Sequence, residues 1–215
     1  MRLHLDLTCA TFKETTGELE QKVNTLEKQV QELTAANSAL ILKVDAQRKE
    51  ILTKLSQETT TFVWEVNGFS EILKTAKNGS TVDSGKIYSE PFYAGKQGYR
   101  LRMCIYPDGD QTNKNRYLSV FIAIMKGKND AILPWPFHKK VTFTLIDQQD
   151  DPAIRKNVEA CFVTDTSFLS FARPTTDENK DMSGILRFVS HKNLKTRRYI
   201  VDDTLFLQVN IDPPN

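Results

Sequence analysis

Cysteine is scarce in this sequence, which holds only Cys9, Cys104 and Cys161. The three are scattered, odd in number and never spaced as a CxxC pair, so they predict neither a disulfide framework nor a metal site. This usage favours a reducing compartment, and we expect a cytoplasmic protein. The first ten residues are interrupted by His4 and Asp6 and lack the continuous apolar run of a signal peptide.

A dominant charge and a long apolar run are also missing. The 29 basic and 27 acidic residues are interspersed and leave a formal charge of only +2. Such a balance creates no strong field for nucleic acid or an anionic membrane, so we expect no nucleic-acid partner. No segment approaches the roughly 20 apolar residues of a spanning helix, and membrane association is therefore expected only through a partner.

Signatures of catalysis are absent around the three histidines, His4, His138 and His191. No GxSxG, HExxH, P-loop or GxGxxG pattern accompanies them. We therefore expect a protein that is not an enzyme and that needs no cofactor and no metal ion.

Proline is missing from residues 12–55, where Gly17 is the only glycine and helix-forming residues dominate. Apolar residues recur there at alternating spacings of four and three, which predicts a coiled-coil helix. The a positions are Val23, Val30, Asn37, Val44 and Ile51. The d positions are Leu19, Leu26, Leu33, Leu40 and Gln47.

This pattern predicts a self-associating stalk over residues 12–57, roughly 60 Å long at about 1.5 Å per residue. The alternative is one amphipathic helix packed on the following domain, but such a helix usually carries a wider apolar stripe. The polar residues Asn37 and Gln47 in the seam either fix the register and oligomer state or simply weaken the coiled coil locally. Val or Ile at a with Leu at d favours two strands in simple coiled coils, whereas Ile41 at e and Ala36 at g widen the stripe and favour three.

After Ser56 the apolar period changes to two and turn residues begin, which places a second domain at 58–215. The segments 71–79 and 191–195 can form short helical turns within it. The predicted fold is mainly β with a long N-terminal helix, and the second domain is a two-sheet antiparallel sandwich of eight strands. The strands are predicted at 61–67, 86–93, 99–106, 117–126, 140–147, 158–163, 184–190 and 204–211.

Alternation along the predicted strands separates inward from outward side chains, since successive residues point to opposite faces. The inward sets are Leu101, Met103 and Ile105; Leu118, Val120, Ile122 and Ile124; and Leu205, Leu207, Val209 and Ile211. Tyr106 and Phe121 then lie on the opposite face, where aromatic groups indicate either a binding surface or cover by a neighbouring loop.

Several short motifs follow one another over about residues 61–212, directly after the predicted coiled coil. The motifs are Phe62-Val63-Trp64, Gly68-Phe69, Ser89-Glu90-Pro91-Phe92-Tyr93, Gly98-Tyr99, Leu118-Ser119-Val120-Phe121, Met125-Lys126-Gly127, Leu133-Pro134-Trp135-Pro136-Phe137, Leu145-Ile146-Asp147-Gln148, Phe171-Ala172-Arg173-Pro174 and Asp202-Asp203. They resemble the MATH domain, and specifically the C-terminal domain of the TNF-receptor-associated factor (TRAF) family, in which such motifs stand in the same order and the domain also follows a coiled coil.

The resemblance implies a homotrimeric adaptor whose sandwiches each carry a shallow groove for short peptides. The implied partners are further copies of the chain and the cytoplasmic tails of receptors of the TNF-receptor type, or other signalling proteins. The alternative is a MATH module that recruits substrates to a ubiquitin ligase or a protease assembly. Such proteins usually carry a BTB or protease domain rather than a heptad stalk.

The resemblance also implies the residues of the groove. The family uses a strand with an Arg and a Tyr two residues apart, followed by an Asp. Here Cys104, Tyr106 and Asp110 take these places, with Arg102 two residues before the cysteine on the same predicted face. An apolar pocket matches Phe121, Phe162 and Phe171. The family's serine run reads Ser167-Phe168-Leu169-Ser170 and is broken, and a Ser-Gly step matches Ser183-Gly184.

Overall fold

The computed structural model describes residues 2–57, 60–79, 85–110 and 112–212, with the helical side chains described from Thr15 to Glu50. The chain divides into two compact units, of which the first ends at Leu52 and the second begins at Thr53. The expected boundary at residue 58 lies outside the described residues.

The first helix, α1, runs from Arg2 to Gln57 and so begins ten residues earlier than the sequence pattern predicts. Seven of the predicted a and d residues are between 50% and 65% exposed in the single chain. They are Leu19, Val23, Leu26, Val30, Leu33, Leu40 and Val44. The side chain of Ile51, another predicted seam residue, lies outside the described side chains. Within the described part of the chain, no helix combines the length and apolarity needed to cross a membrane.

The second unit is an antiparallel sandwich of two sheets, as predicted. The first sheet has the order β1-β9-β6-β7, and the second has the order β2-β4-β5-β8 with β3 beside β4. The strands are β1 Thr60–Asn67, β2 Ile87–Tyr88, β3 Phe92–Tyr93, β4 Arg100–Tyr106, β5 Tyr117–Met125, β6 Lys140–Leu145, β7 Val158–Val163, β8 Ser183–Ser190 and β9 Thr204–Asp212. The helices of this unit are α2 Phe69–Asn78 and α3 His191–Leu194, with 3-10 turns at Pro152–Ile154 and Leu169–Phe171.

The predicted strand 86–93 is divided into β2 and β3, which gives nine strands among the described residues instead of eight. Tyr88 pairs with Cys104, and Phe92 pairs with Leu101. The three residues between Tyr88 and Phe92 therefore lie opposite only two residues of β4 and form a bulge. The Ser89 hydroxyl oxygen accepts from the Met103 N–H at 2.9 Å, in place of a backbone carbonyl. Pro91, inside the bulge, has no N–H to offer the ladder.

The core lies between the sheets and consists of the residues that alternation predicts to face inward. Their exposed fraction is 1% or less at every predicted position of β4, β5 and β9, and Val141, Phe143 and Leu145 of β6 complete the layer. Truncating one of these leucines to alanine is expected to cost about 2 to 5 kcal/mol, because a cavity replaces close packing. The core therefore fixes which side chains the outer faces present.

Asp202 and Asp203 form a turn, with φ of 49° and 58°, just before β9. The Asp203 carboxylate accepts from the Ser70 N–H at 2.8 Å and its carbonyl accepts from the Phe69 N–H at 3.0 Å. These bonds satisfy N–H groups at the start of α2, which have no partner inside the helix. The pair is thus structural in this fold.

Candidate functional site

Four residues form a row across the outer face of the second sheet. Tyr88 pairs with Cys104, Cys104 with Phe121, and Phe121 with Gly184. Directly paired residues of antiparallel strands project to the same face, so this row crosses β2, β4, β5 and β8. The row brings together Cys104, Phe121 and Gly184, three of the residues that the sequence predicts for the groove.

Tyr106 and Phe121 contact each other on this face, edge to face, with ring centroids 5.3 Å apart and planes at 71°. Both rings are partly exposed, whereas Cys104, which is paired with Phe121 and lies two residues before Tyr106, is fully buried. The cysteine therefore does not present its side chain to a ligand as the predicted groove requires. It packs beneath the larger groups around it.

A third aromatic ring and a cation extend this surface. The Lys86 Nζ lies 5.4 Å from the Tyr88 ring centroid and 5.7 Å from that of Tyr106. Sequence reasoning did not select Lys86 or Tyr88. The period of two in the predicted strand 86–93 was a usable signal, since it places both residues on one face.

Arg102 lies on the same face and has two partners. Its guanidinium carbon is 3.8 Å from the Tyr88 ring centroid, and its Nη2 donates to the Glu178 Oε1 at 2.6 Å. Glu178 is held beside the sheet by a β-bridge to Met125. It lies in an irregular segment with no apolar period, so no sequence pattern indicates this ion pair.

Strand β8 is an edge strand. It hydrogen-bonds to β5 on one side, and its other edge pairs with no strand in the part of the chain that the structure describes. An added Cβ on Gly184 would lie 2.0 Å from the Val120 carbonyl oxygen, so only glycine allows β5 and β8 to approach this closely.

The β5–β8 register shifts between Leu118 and Val120, where β8 carries extra residues. Ser119 is buried there and its hydroxyl donates to the Leu186 carbonyl at 2.5 Å. Leu186 and Arg187 are exposed at this bulge. This hydrogen bond therefore holds β8 against β5 at the bulge.

The predicted apolar pocket is divided between the two sides of the sheet. Phe162 lies on β7 of the other sheet, where it is paired with the buried Val141 of β6. Its ring centroid lies 6.5 Å from that of Phe171. Phe171 is buried and stacks near Phe137 at 6.2 Å. Phe162 and Phe171 thus belong to the core layer, whereas Phe121 faces outward with Tyr106.

Of the serines predicted for the groove, Ser170 and Ser183 contact each other, whereas Ser167 lies in a separate turn. The hydroxyls of Ser170 and Ser183 are 2.8 Å apart, which joins the Leu169–Phe171 turn to the first residue of β8. Ser167 is exposed and its N–H donates to the Asp165 carboxylate at 2.9 Å. That hydrogen bond holds the pKa of Asp165 below its usual value.

The side chain of Asp110 makes its hydrogen bonds within its own loop. Its carboxylate accepts from the Asn113 side chain at 2.5 Å, from the Asn113 N–H at 3.1 Å and from the Thr112 hydroxyl at 3.2 Å. These bonds stabilise the turn that follows β4. No group of three or more His, Cys, Asp or Glu among the described residues is arranged to hold a metal ion.

The family comparison agrees with this architecture. The sequence model of the family described as TRAF/meprin, MATH domain matches residues 84–208, which is more than half of the chain. This chain belongs to the TRAF family. The matched region includes every strand of the sandwich except β1 and the end of β9, and it includes every residue predicted for the groove.

Individual TRAF proteins are similar over most of this chain. TNF receptor-associated factor 1 of Mus musculus is 35% identical over an aligned length of 178, and the match covers 78% of this chain and 42% of the relative. TNF receptor-associated factor 5 of Homo sapiens is 33% identical over an aligned length of 207, and the match covers 90% of this chain and 36% of the relative. TNF receptor-associated factor 6-B of Xenopus laevis is 31% identical over an aligned length of 225, and the match covers 99% of this chain and 39% of the relative. The chain thus spans less than half the length of each of these proteins.

A solved structure with the same fold is that of Notothenia coriiceps TRAF5. It superposes with a TM-score of 0.65 at 23% identity, and the match covers 92% of this chain and 95% of that chain. At this identity the likeness establishes the fold alone.

Proposed function

We propose that this TRAF-family chain is a cytoplasmic signalling adaptor that binds short peptide segments along the outer edge of β8. The observation that carries the proposal is an edge strand lying beside the Tyr106–Phe121 pair. A peptide added to such an edge gains backbone hydrogen bonds, while alternate side chains reach the neighbouring surface. Tyr106, Phe121 and Gly184 then border the bound peptide.

The charged groups of this surface are proposed to select among peptides. Lys86 adds a cation beside Tyr88 and Tyr106. Arg102 already has a carboxylate partner in Glu178, so an acidic peptide side chain has to compete with that partner.

The partners are proposed to be further copies of the chain and peptide segments in clustered receptor tails. The apolar seam of α1 is exposed in the single chain, and burial of such a stripe drives helix association. The resemblance favours a homotrimer, and the relatives' name, TNF receptor-associated factor, supports receptor tails of that type as ligands. Other signalling proteins with similar segments are a second source of peptides.

The test is a peptide array of receptor tails and signalling proteins, followed by calorimetry with the intact chain. Wild type and the Tyr106→Ala and Phe121→Ala variants are compared on every hit. We expect both variants to bind more weakly at an unchanged stoichiometry per chain. Hits that bind wild type and both variants equally would place the binding site elsewhere.

A further inference from the structure

Phe168 and Leu169 form an exposed apolar tip at the 3-10 turn Leu169–Phe171. Leu169 is 78% exposed and Phe168 60%, the two largest values among the large apolar side chains described in the sandwich. Single exposed apolar residues are common on protein surfaces. Two consecutive ones at the tip of a turn leave a larger continuous apolar area in water.

The tip is held in place by hydrogen bonds on both sides of the turn. The Asn179 side-chain amide donates to the carbonyls of Ser170 at 2.9 Å and Ala172 at 2.8 Å. The Phe168 N–H donates to the Asp165 carbonyl at 3.1 Å, and the buried Phe171 anchors the turn to the core. The apolar pair is thus presented by a preformed support, which reduces the ordering cost when a ligand binds.

The position of the tip connects it to the edge strand. The Ser170–Ser183 contact of 2.8 Å joins the turn to the first residue of β8, and Phe121 is paired with the next residue, Gly184. A peptide lying along β8 therefore passes the tip at the end of the strand where β8 begins. Phe168 and Leu169 have no side-chain hydroxyl or charge with which to bind a polar group there.

We propose that Phe168 and Leu169 form an apolar subsite that selects peptides with a large aliphatic or aromatic side chain at the position beside the start of β8. This inference rests on the proposed function, since it assigns a ligand preference to one end of the same groove. The occupant is the partner peptide. Binding covers the tip and removes its apolar surface from water.

The experiment screens a randomised peptide library against the intact chain and measures the affinity of the selected peptides. Three proteins are compared: wild type, Phe168→Ser with Leu169→Ser, and Ile154→Ser. Ile154 is a matched control, because it is 52% exposed and lies in the other 3-10 turn, Pro152–Ile154. All three substitutions replace exposed side chains, and thermal unfolding checks that each variant is folded.

We expect wild type to select peptides with a large apolar residue at one fixed position. These peptides should bind the Phe168→Ser and Leu169→Ser variant about tenfold more weakly or worse, as for loss of an apolar contact in a binding site. The Ile154→Ser variant should bind them as wild type does. Replacing the apolar residue of the peptide by serine should cause the same loss in wild type and little further loss in the double variant.

Other outcomes separate the two proposals. Some peptides could require Tyr106 and Phe121 but show no apolar preference, or could bind the double variant as tightly as wild type. Either result would overturn the apolar subsite and would still be consistent with the proposed groove. Failure of wild type to select any peptide would overturn both. A lower assembly mass for the double variant in sedimentation equilibrium would assign the tip to contact between copies of the chain and would also overturn the subsite.

Discussion

The Arg102 guanidinium donates to the Glu178 carboxylate at 2.6 Å while it stacks on the Tyr88 ring at 3.8 Å. Both members of the ion pair are only partly exposed. The arginine is therefore partly desolvated, and a charge in that setting is costly to leave without its partner. Glu178 is thus already paired with Arg102, and an acidic group of a peptide has to compete with Glu178 for the arginine.

Replacing Glu178 by glutamine is expected to increase the affinity for acidic peptides. Because the neutral amide is a weaker partner for Arg102, a peptide carboxylate should gain about tenfold in affinity. Calorimetry with array peptides and their Glu-to-Gln counterparts measures the effect. Glu159→Gln, an exposed position on β7, is the control. Equal affinity of wild type and Glu178→Gln for every acidic peptide would show that Arg102 does not contact the ligand.

Phe121→Ala tests the aromatic pair. The substitution removes an edge-to-face contact with Tyr106 and should lower the free energy of unfolding by only about 1 kcal/mol, since the ring lies outside the core. Peptide affinity should fall tenfold or more, by about the amount expected for an aromatic residue at the centre of an interface. Thermal unfolding and calorimetry on the same sample separate the two effects. A large loss of stability with unchanged binding would assign Phe121 to the fold.

Val30→Asp with Leu33→Asp is expected to dissociate the stalk and leave the sandwich folded. Two carboxylates in the a and d positions cannot be buried without a large desolvation cost. Sedimentation equilibrium should give a trimer mass for wild type and a monomer mass for the variant. Leu42→Asp is the control, because that leucine lies at position f and is 70% exposed. A dimer mass for wild type, independent of concentration, would contradict the trimer.

The ion pair between Asp147, just after β6, and Arg197 accounts for part of the expected dependence of stability on pH. Asp147 is fully buried, and burial alone raises its pKa. Hydrogen bonds from the Lys156 N–H at 2.9 Å and the Arg197 guanidinium at 2.5 Å outweigh burial and hold the pKa below its usual value. Tyr199, whose hydroxyl donates to the Lys156 carbonyl, lies in the same network.

Because the pKa of Asp147 is lower in the folded chain than in the unfolded one, its stabilising effect is complete above the ordinary aspartate pKa. The effect is lost as the pH falls through the lowered pKa. Arg197→Ala should reduce the free energy of unfolding by about 3 kcal/mol or more at neutral pH. Because the pKa of Asp147 is then lowered less or not at all, the variant should lose less stability than wild type between neutral and acidic pH. Urea unfolding at a series of pH values measures both.

Arg198→Ala is the matched control for this experiment. Arg198 pairs with Asp150 at 2.7 Å, but both side chains are well exposed, so the loss should stay below about 1 kcal/mol. Equal losses for Arg197→Ala and Arg198→Ala would contradict the buried network.

The sequence predicted the sandwich well because its strands alternate regularly over a shared core. The same alternation placed Tyr106 and Phe121 on the outer face, where they are in contact. It could not separate Phe162 and Phe171 from Phe121, because the side of a pocket depends on how the two sheets pack. Glu178 was missed because its segment has no periodic pattern, and its approach to Arg102 depends on a long-range β-bridge.

We propose that the stalk joins several weak peptide grooves into one strong binder. A groove on a sheet edge gains little over the cost of ordering a flexible tail, so each sandwich should bind weakly. Joining the sandwiches makes later contacts intramolecular and can raise the affinity for clustered peptides by about 10²-fold.

The most direct test compares the wild-type chain with the Val30→Asp and Leu33→Asp variant on surfaces that carry sparse or dense immobilised array peptide. The account predicts similar weak binding of both proteins at low density, and binding of wild type at high density that is about 10²-fold stronger than that of the variant. Equal affinity of the two proteins at high peptide density would contradict it.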